Sequence, residues 1–244
     1  MTKPAFARSA FSFIHRVGLA AGLALAAFAL PHQAAAADCR SAPAPATDWQ
    51  DCNKSSIMLG GSDLRDSNLV GVDFSATDLR GSVLDGSNLE KAKLLRSSLA
   101  DASAANANFS RVEAYRTNFS GIRAKGANFT SAELQRADFN GADLEGSDFE
   151  KSELGRASFR GALISGTNFA HANLSRADLS QARFAGPIDF TGAFLYLTRI
   201  EGIDLSAAKG LKQEQADQAC GDHDTVLPRG LKPPANWPCT FSAD

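Results

Sequence analysis

From Trp49 onward, one apolar side chain returns at every fifth position. The series runs Trp49, Lys54, Leu59, Leu64, Leu69, Phe74 and so on to Leu174, Leu179 and Phe184, and all but Lys54, Ala104, Ala114 and Ala124 are large and apolar. Two residues before each centre stands only Ala, Ser, Thr, Cys, Val or Ile, as at Thr47, Cys52, Ile57, Ala137, Ser147 and Ala177. A period of five matches neither the 3.6 of a helix nor the 2 of a strand. Fixed self-similarity over such a length predicts a solenoid, in which a short unit buries its inward residues by stacking on copies above and below.

Units such as Ala137-Asp138-Phe139-Asn140-Gly141 and Ala142-Asp143-Leu144-Glu145-Gly146 resemble the A(D/N)LXX consensus of the pentapeptide-repeat family. That resemblance implies an all-β solenoid, a right-handed quadrilateral β-helix with four units per coil. The central residue and the small residue two before it would point inward. Four units per coil demands a second period of twenty, and the centres show one. Phe119, Phe139 and Phe159 fall on one wall, with Phe109, Phe129, Phe149 and Phe169 on the opposite wall. Between Ala104 and Phe129 the centres alternate Ala and Phe, so that large rings from two walls meet where the other two walls shrink.

Other segments extend this reading. Residues 1–37 carry Lys3, Arg8 and Arg16, an apolar run from Val17 to Leu30, and Ala34 to Ala37. They read as a secretory signal cleaved after Ala37, with an uncleaved anchor as the alternative. Periplasmic or secreted localisation follows as an expectation, with no stable membrane span after cleavage. Removing the signal leaves 22 basic residues against 27 acidic ones, a formal charge of −5 that demands neither nucleic acid nor an anionic membrane. Residues 38–46 read as an irregular N-terminal cap and 47–207 as the repeat helix. Residues 208–244 read as a C-terminal helix and cap. After Phe184 the register slips by one at Gly186-Pro187, and the pattern resumes at Ile188/Phe190. The count is then about eight coils at roughly 4.8 Å each. A helix is expected over Leu211 to Cys220, ending at Gly221, and Trp237 as a lid on the last coil. Gly210-Leu211 and Ala219-Cys220-Gly221-Asp222 resemble the tail of exported, proteobacterial-type members of the family.

All four cysteines flank the repeats. Cys39 with Cys52 and Cys220 with Cys239 is the expected pairing, since the two pairs lie at opposite ends of the rod. Zinc is the alternative, against which stand the lack of a CxxC spacing and only two mature histidines, His171 and His223.

Chemistry-bearing candidates lie on outward positions. At intervals of twenty the corner position reads Ala76, Arg96, Arg116, Arg136, Arg156 and Arg176. The neighbouring corner carries Lys91, Arg111, Lys151 and His171, so one edge of the rod is basic. Such a ladder suits carboxylate or phosphate, because Arg presents a planar fork of donors. A solvated face is the competing reading, with Glu113, Glu133 and Glu153 neutralising the arginines three residues on. Asp222-His223-Asp224 is the only acid/His cluster and reads as a polar turn. No enzyme, cofactor, metal or small-molecule substrate is expected, and a filled interior offers no substrate cavity. The expected function is a non-catalytic exported scaffold or binding protein, with a protein or an anionic polymer as partner, as a monomer or an end-to-end dimer. Some members of the family mimic duplex DNA and bind topoisomerases. The export signal and the arginine column speak against that role here, and no nucleic acid is expected as partner.

Overall fold

Every five-residue unit makes one side of a coil because its backbone N–H groups have fixed destinations. In Ser87–Lys91, Ser87 donates back to the carbonyl of Leu84 at 3.0 Å and Asn88 to Ser67, one coil below, at 2.9 Å. Leu89 and Lys91 donate to Asn108 and Ser110, one coil above. Glu90 N–H, facing neither neighbour, donates to the Asn88 side-chain carbonyl at 3.1 Å. That last bond explains the Asp or Asn that usually precedes the centre: it closes the unit on itself in an Asx turn. The residue at the end of the unit then adopts positive φ, from Asp51 (55°) to Gln181 (65°).

The computed structural model describes residues 37–239. The predicted signal segment, except Ala37, lies outside the described residues. Parallel pairing joins residues twenty apart, from Asp48 with Asn68 up to Leu163 with Arg183. Each wall is a short extended stretch paired through one residue per coil and flanked by turns, so the β-structure is continuous along the axis rather than along the chain. Four five-residue sides per coil make a four-sided solenoid.

The core is a stack of rings. Phe109, Phe129 and Phe149 stack with centroids 4.7 Å apart and planes 3° from parallel. Phe119 stacks on Phe139 at 4.8 Å. Rings from the two walls meet edge to face, Phe129 and Phe139 at 5.7 Å and 87°, the arrangement the ring quadrupole favours. Ala104, Ala114 and Ala124 are fully buried and leave room for these rings. Several inward hydroxyls are bonded to the coil below, Thr77 donating to the Lys54 carbonyl at 2.7 Å and Ser147 to that of Ala124 at 2.8 Å, while Ser97 and Ser152 donate within their own coil.

At Gly186, with φ 141°, the chain takes in one extra residue. Pairing then spans twenty-one positions, Asn168 with Asp189 and Asn173 with Phe194, before returning to twenty for Asp189 with Lys209. A bulge in one corner absorbs the insertion without breaking the stack.

Both ends differ in detail from expectation. The helix α1 is a single turn, Gln213–Ala216, not the longer one expected over Leu211 to Cys220. Cys220 instead returns to the sheet, its N–H donating to the Thr198 carbonyl at 2.8 Å while Ile200 N–H donates to its own carbonyl. Pairing with the last coil overrides helix propensity there. Gln215 ties α1 down by donating to the carbonyls of Phe190 and Ala193, both at 2.8 Å. Cys220 and Cys239 are bonded, with Cα atoms 5.4 Å apart. Trp237 Nε1 donates to the Ala219 carbonyl at 2.8 Å, and its ring lies on Gly221. At the other end Cys39 and Cys52 are bonded, and Trp49 Nε1 donates to Ser41 Oγ at 2.8 Å. Lys54, the charged centre, stays half-buried with its ammonium 3.7 Å from the Trp49 ring centre. Burial lowers its pKa, against the pull of Asp38. Ile57, expected to point inward, is 38% exposed. No coil lies beneath it, and the cap of residues 38–46 covers Trp49 instead.

Candidate binding face

Two walls depart repeatedly from the unit just described: that of Leu84, Ala104, Ala124 and Ile164, preceded by Val83, Ser103, Arg123 and Leu163, and the one that carries the arginine corner. The centres of the arginine wall are Leu94, Ala114, Leu134, Leu154 and Leu174, and the residues before the first four are Lys93, Glu113, Glu133 and Glu153 instead of Asp or Asn. No Asx turn forms in these four units. The N–H groups of Leu95, Tyr115, Gln135 and Gly155 therefore have no acceptor among the described residues. Above and below, Asp73 and Asn173 restore the bond to Ser75 and Ser175. Four consecutive coils thus present a vertical row of free backbone donors.

Beside that row runs the arginine column. Arg96, Arg116, Arg136, Arg156 and Arg176 are all exposed and share one corner. All five have positive φ, between 56° and 62°, a geometry that other corners fill with glycine or, as at Asp101, Lys91 and Arg111, with other side chains. None forms an ion pair or side-chain hydrogen bond among the described residues; Arg116 instead stands 5.2 Å over the Tyr115 ring. Glu113, Glu133 and Glu153 form no ion pair with these arginines among the described residues, and Glu153 accepts from Asn173 at 2.8 Å.

The second basic corner behaves differently. Lys91 and Arg111 both reach Glu90, at 3.5 and 3.3 Å, and Lys151 pairs with Glu150 at 2.7 Å. Hydrogen bonding to Lys151 lowers the Glu150 pKa, and the same bond raises that of Lys151. The expected basic edge is therefore two columns of unlike state, one paired and one open.

Gln135, Arg136, Gly155, Arg156, Ser175 and Arg176 line a groove of about 340 Å3, open to solvent. Gly155 makes its floor. Unlike the corner glycines its φ is ordinary, and an added Cβ would meet nothing closer than the Ser175 carbonyl at 3.8 Å. Neither turn geometry nor packing requires glycine there; its effect is to leave the floor open. Beyond Arg176 the face turns aromatic, with Phe194 and Tyr196 exposed and stacked at 6.2 Å. Tyr115, Gln135, Gly155 and Ser175 were not among the candidates from sequence. The signal that marks them is the lapse of Asp/Asn before the centre in successive coils that also carry an arginine at the corner; Val83, Ser103 and Arg123 make the lapse without the arginines.

Elsewhere the candidates are structural. Asp222 accepts from Gly202 N–H at 3.0 Å and from the Thr225 hydroxyl at 2.9 Å. Burial works against its charge, and these hydrogen bonds outweigh burial to leave its pKa below the usual range. His223 and Asp224 lie in solvent. Among the described residues no cluster of His, Cys, Asp or Glu is placed to hold a metal, and no helix is long and apolar enough to cross a membrane.

Comparison with known proteins agrees with this architecture. Family models for a pentapeptide repeat region match residues 102–169, and models for pentapeptide repeats match 59–96 and 149–193. The chain belongs to the pentapeptide-repeat proteins. Full-length QnrB1, a plasmid-mediated fluoroquinolone resistance protein, is 18% identical over 76% of this chain and 91% of its own, with a TM-score of 0.51. HetL, a pentapeptide-repeat protein involved in heterocyst differentiation regulation from the cyanobacterium Nostoc, is 19% identical over 77% and 85%, with a TM-score of 0.43. At 18% identity the likeness to QnrB1 is one of fold alone. No curated protein matches the chain in sequence.

Proposed function

We propose that this protein is a non-catalytic exported binding scaffold, a right-handed rod of about eight coils that docks an acidic partner on its open arginine face. The observation that carries the reading is the contrast between the two basic columns. Lys91, Arg111 and Lys151 are paired within the protein, whereas the five arginines recur one coil apart and form no ion pair among the described residues. Neighbouring guanidinium groups at that spacing repel by about 0.9 kcal/mol in water before screening. No ion pair among the described residues relieves this, and the corner geometry suits glycine better. Residues retained against stability at one face point to a ligand that supplies the missing charge.

The reading predicts retention on an immobilised polyanion. Wild type should elute from heparin at clearly higher salt than an Arg136/Arg156/Arg176→Ser variant whose circular dichroism is unchanged. Equal elution of the two would end it. A DNA-mimic role has the weaker support, because this face is a column of cations where a mimic of duplex DNA needs anions. Export rests on the signal in residues 1–37, and fractionation of cells carrying the full chain tests it.

A further inference from the structure

We propose that the arginine corner is a docking edge for an anionic phospholipid bilayer, the rod lying along the membrane surface with this corner against the headgroups. This rests on the reading just given and narrows the acidic partner to one kind. Three features select it.

The first is where the exposed apolar side chains lie. Among the described residues the large ones are Ile57, Met58, Tyr115, Phe194, Tyr196 and Val226. Only Val226, paired with Asp204, lies away from the two walls that meet at the arginine corner. Met58, 77% exposed, stands in the first coil on one of these walls, and Phe194 and Tyr196 stand seven coils higher on the other. The corner itself ends in uncharged residues, Ser56 and Ala76 below the arginines and Leu197 above them. A cationic edge with apolar side chains at both ends matches a bilayer surface, where Arg meets phosphate at the depth at which aromatic rings enter the headgroup boundary.

The second is shape. Pairing at intervals of twenty keeps Arg96 to Arg176 in one line, and the corner of a four-sided rod is convex. A folded acidic protein would need a matching furrow, whereas a bilayer is flat and its headgroups diffuse to the cations. Near the upper end of the line the groove over Gly155 opens between Arg136, Arg156 and Arg176. There one headgroup phosphate meets several planar forks of donors.

The third is charge. After Ala37 the chain carries 22 basic residues against 27 acidic ones, yet five of the basic ones share this corner. On the wall that follows, Asp78, Asp138 and Asp178 are turned into their own units, accepting from the N–H groups of Arg80, Asn140 and Ser180 at 2.9 to 3.0 Å. Glu113, Glu133 and Glu153 precede their centres, on the far side of the other wall from the corner. An anionic surface therefore attracts this edge and repels the rest, which orients the rod.

Lipid docking and simple charge attraction part company at the apolar ends. Phe194→Ser/Tyr196→Ser and Met58→Ser change no charge and replace only exposed side chains, so a soluble polyanion should bind both variants as it binds wild type. A bilayer should hold them less well, about tenfold for the aromatic pair and about threefold for Met58→Ser.

The measurement is co-sedimentation with vesicles of equal parts phosphatidylglycerol and phosphatidylcholine, with phosphatidylcholine alone as control and heparin elution run beside it. The chain is used from Asp38, which keeps every coil, both caps and both disulfides, so that the apolar run Val17 to Leu30 cannot itself enter lipid. Wild type should sediment with the anionic vesicles and not with phosphatidylcholine alone. Both apolar variants should bind vesicles more weakly while eluting from heparin at the wild-type salt. Undiminished vesicle binding by the two variants, equal binding to phosphatidylcholine alone, or retention on heparin without vesicle binding overturns the inference and leaves a soluble acidic partner for the arginine face. No binding of wild type to either, or undiminished binding to both by Arg136/Arg156/Arg176→Ser, overturns that broader reading as well.

Discussion

Arg156 carries two separate costs at one position. Its backbone has φ 62°, in a region where an L side chain costs about 1–2 kcal/mol. Its neighbours in the column are like charges. Glycine relieves both, at an expense of roughly 0.5–1 kcal/mol for the added freedom of the unfolded chain. Arg156→Gly should therefore stabilise the fold by about 0.5 kcal/mol while weakening polyanion binding. Thermal unfolding and heparin elution on the same sample check the two signs, and a destabilised variant would show that Arg156 has a structural partner. Part of this was legible in the sequence: a residue returning every twenty positions places the column on one corner. Its electrostatic state was not, because Glu133 lies three residues from Arg136 along the chain yet does not bond to it across the wall.

The five-residue unit owes its closure to the acid or amide before the centre, and Asp78 shows the strongest form of it. Its carboxylate accepts from Arg80 N–H at 3.0 Å and from the Arg80 guanidinium at 2.6 Å. The Arg80 side chain first, then the backbone N–H, lowers its pKa to about 2. Asp63, Asp73 and Asp204 move the same way, through the same bond from the residue two ahead. A carboxylate whose pKa is lower folded than unfolded contributes stability above the unfolded value, and loses it as pH falls through the folded one. Stability should thus be flat in pH from neutrality to about 4 and fall steadily from there toward 2. Melting temperature across that range checks it, and Asp78→Asn should make the fall shallower. The consensus shows in the sequence which units close this way. What it does not show is a consequence of leaving the consensus: where Glu replaces Asp the side chain is longer, the turn is not closed, and a backbone donor faces solvent. The same limit applies to α1, whose helical composition from Leu211 to Cys220 yields to the sheet bonds of Cys220 with Thr198 and Ile200.

A solenoid gains stability from contacts between neighbouring coils, so a terminal coil has half the support of an internal one and opens first. The C-terminal end of this rod is held by three contacts that act together. Cys239 is bonded to Cys220, which is itself paired to Arg199 in the coil beneath. Trp237 rests on Gly221, where an added Cβ would fall 2.5 Å from the indole ring. Gln215 clamps α1 to the carbonyls of Phe190 and Ala193. A disulfide closing a loop with a separation of 19 residues contributes about 3 kcal/mol, and its loss should be felt locally. In Cys220→Ser/Cys239→Ser, amide exchange should speed up at Ile200, Leu205 and Cys220→Ser itself, and remain as slow as in wild type at Phe129 and Phe139, five coils of stacked rings being indifferent to one end. Gly221→Ala should reproduce the pattern by lifting Trp237 while leaving the disulfide intact. Uniform acceleration through the central coils would mean that the rod opens as a single cooperative body. The cap would then be a clamp on the whole fold, and the stacked phenylalanines could not hold the arginine face in register by themselves.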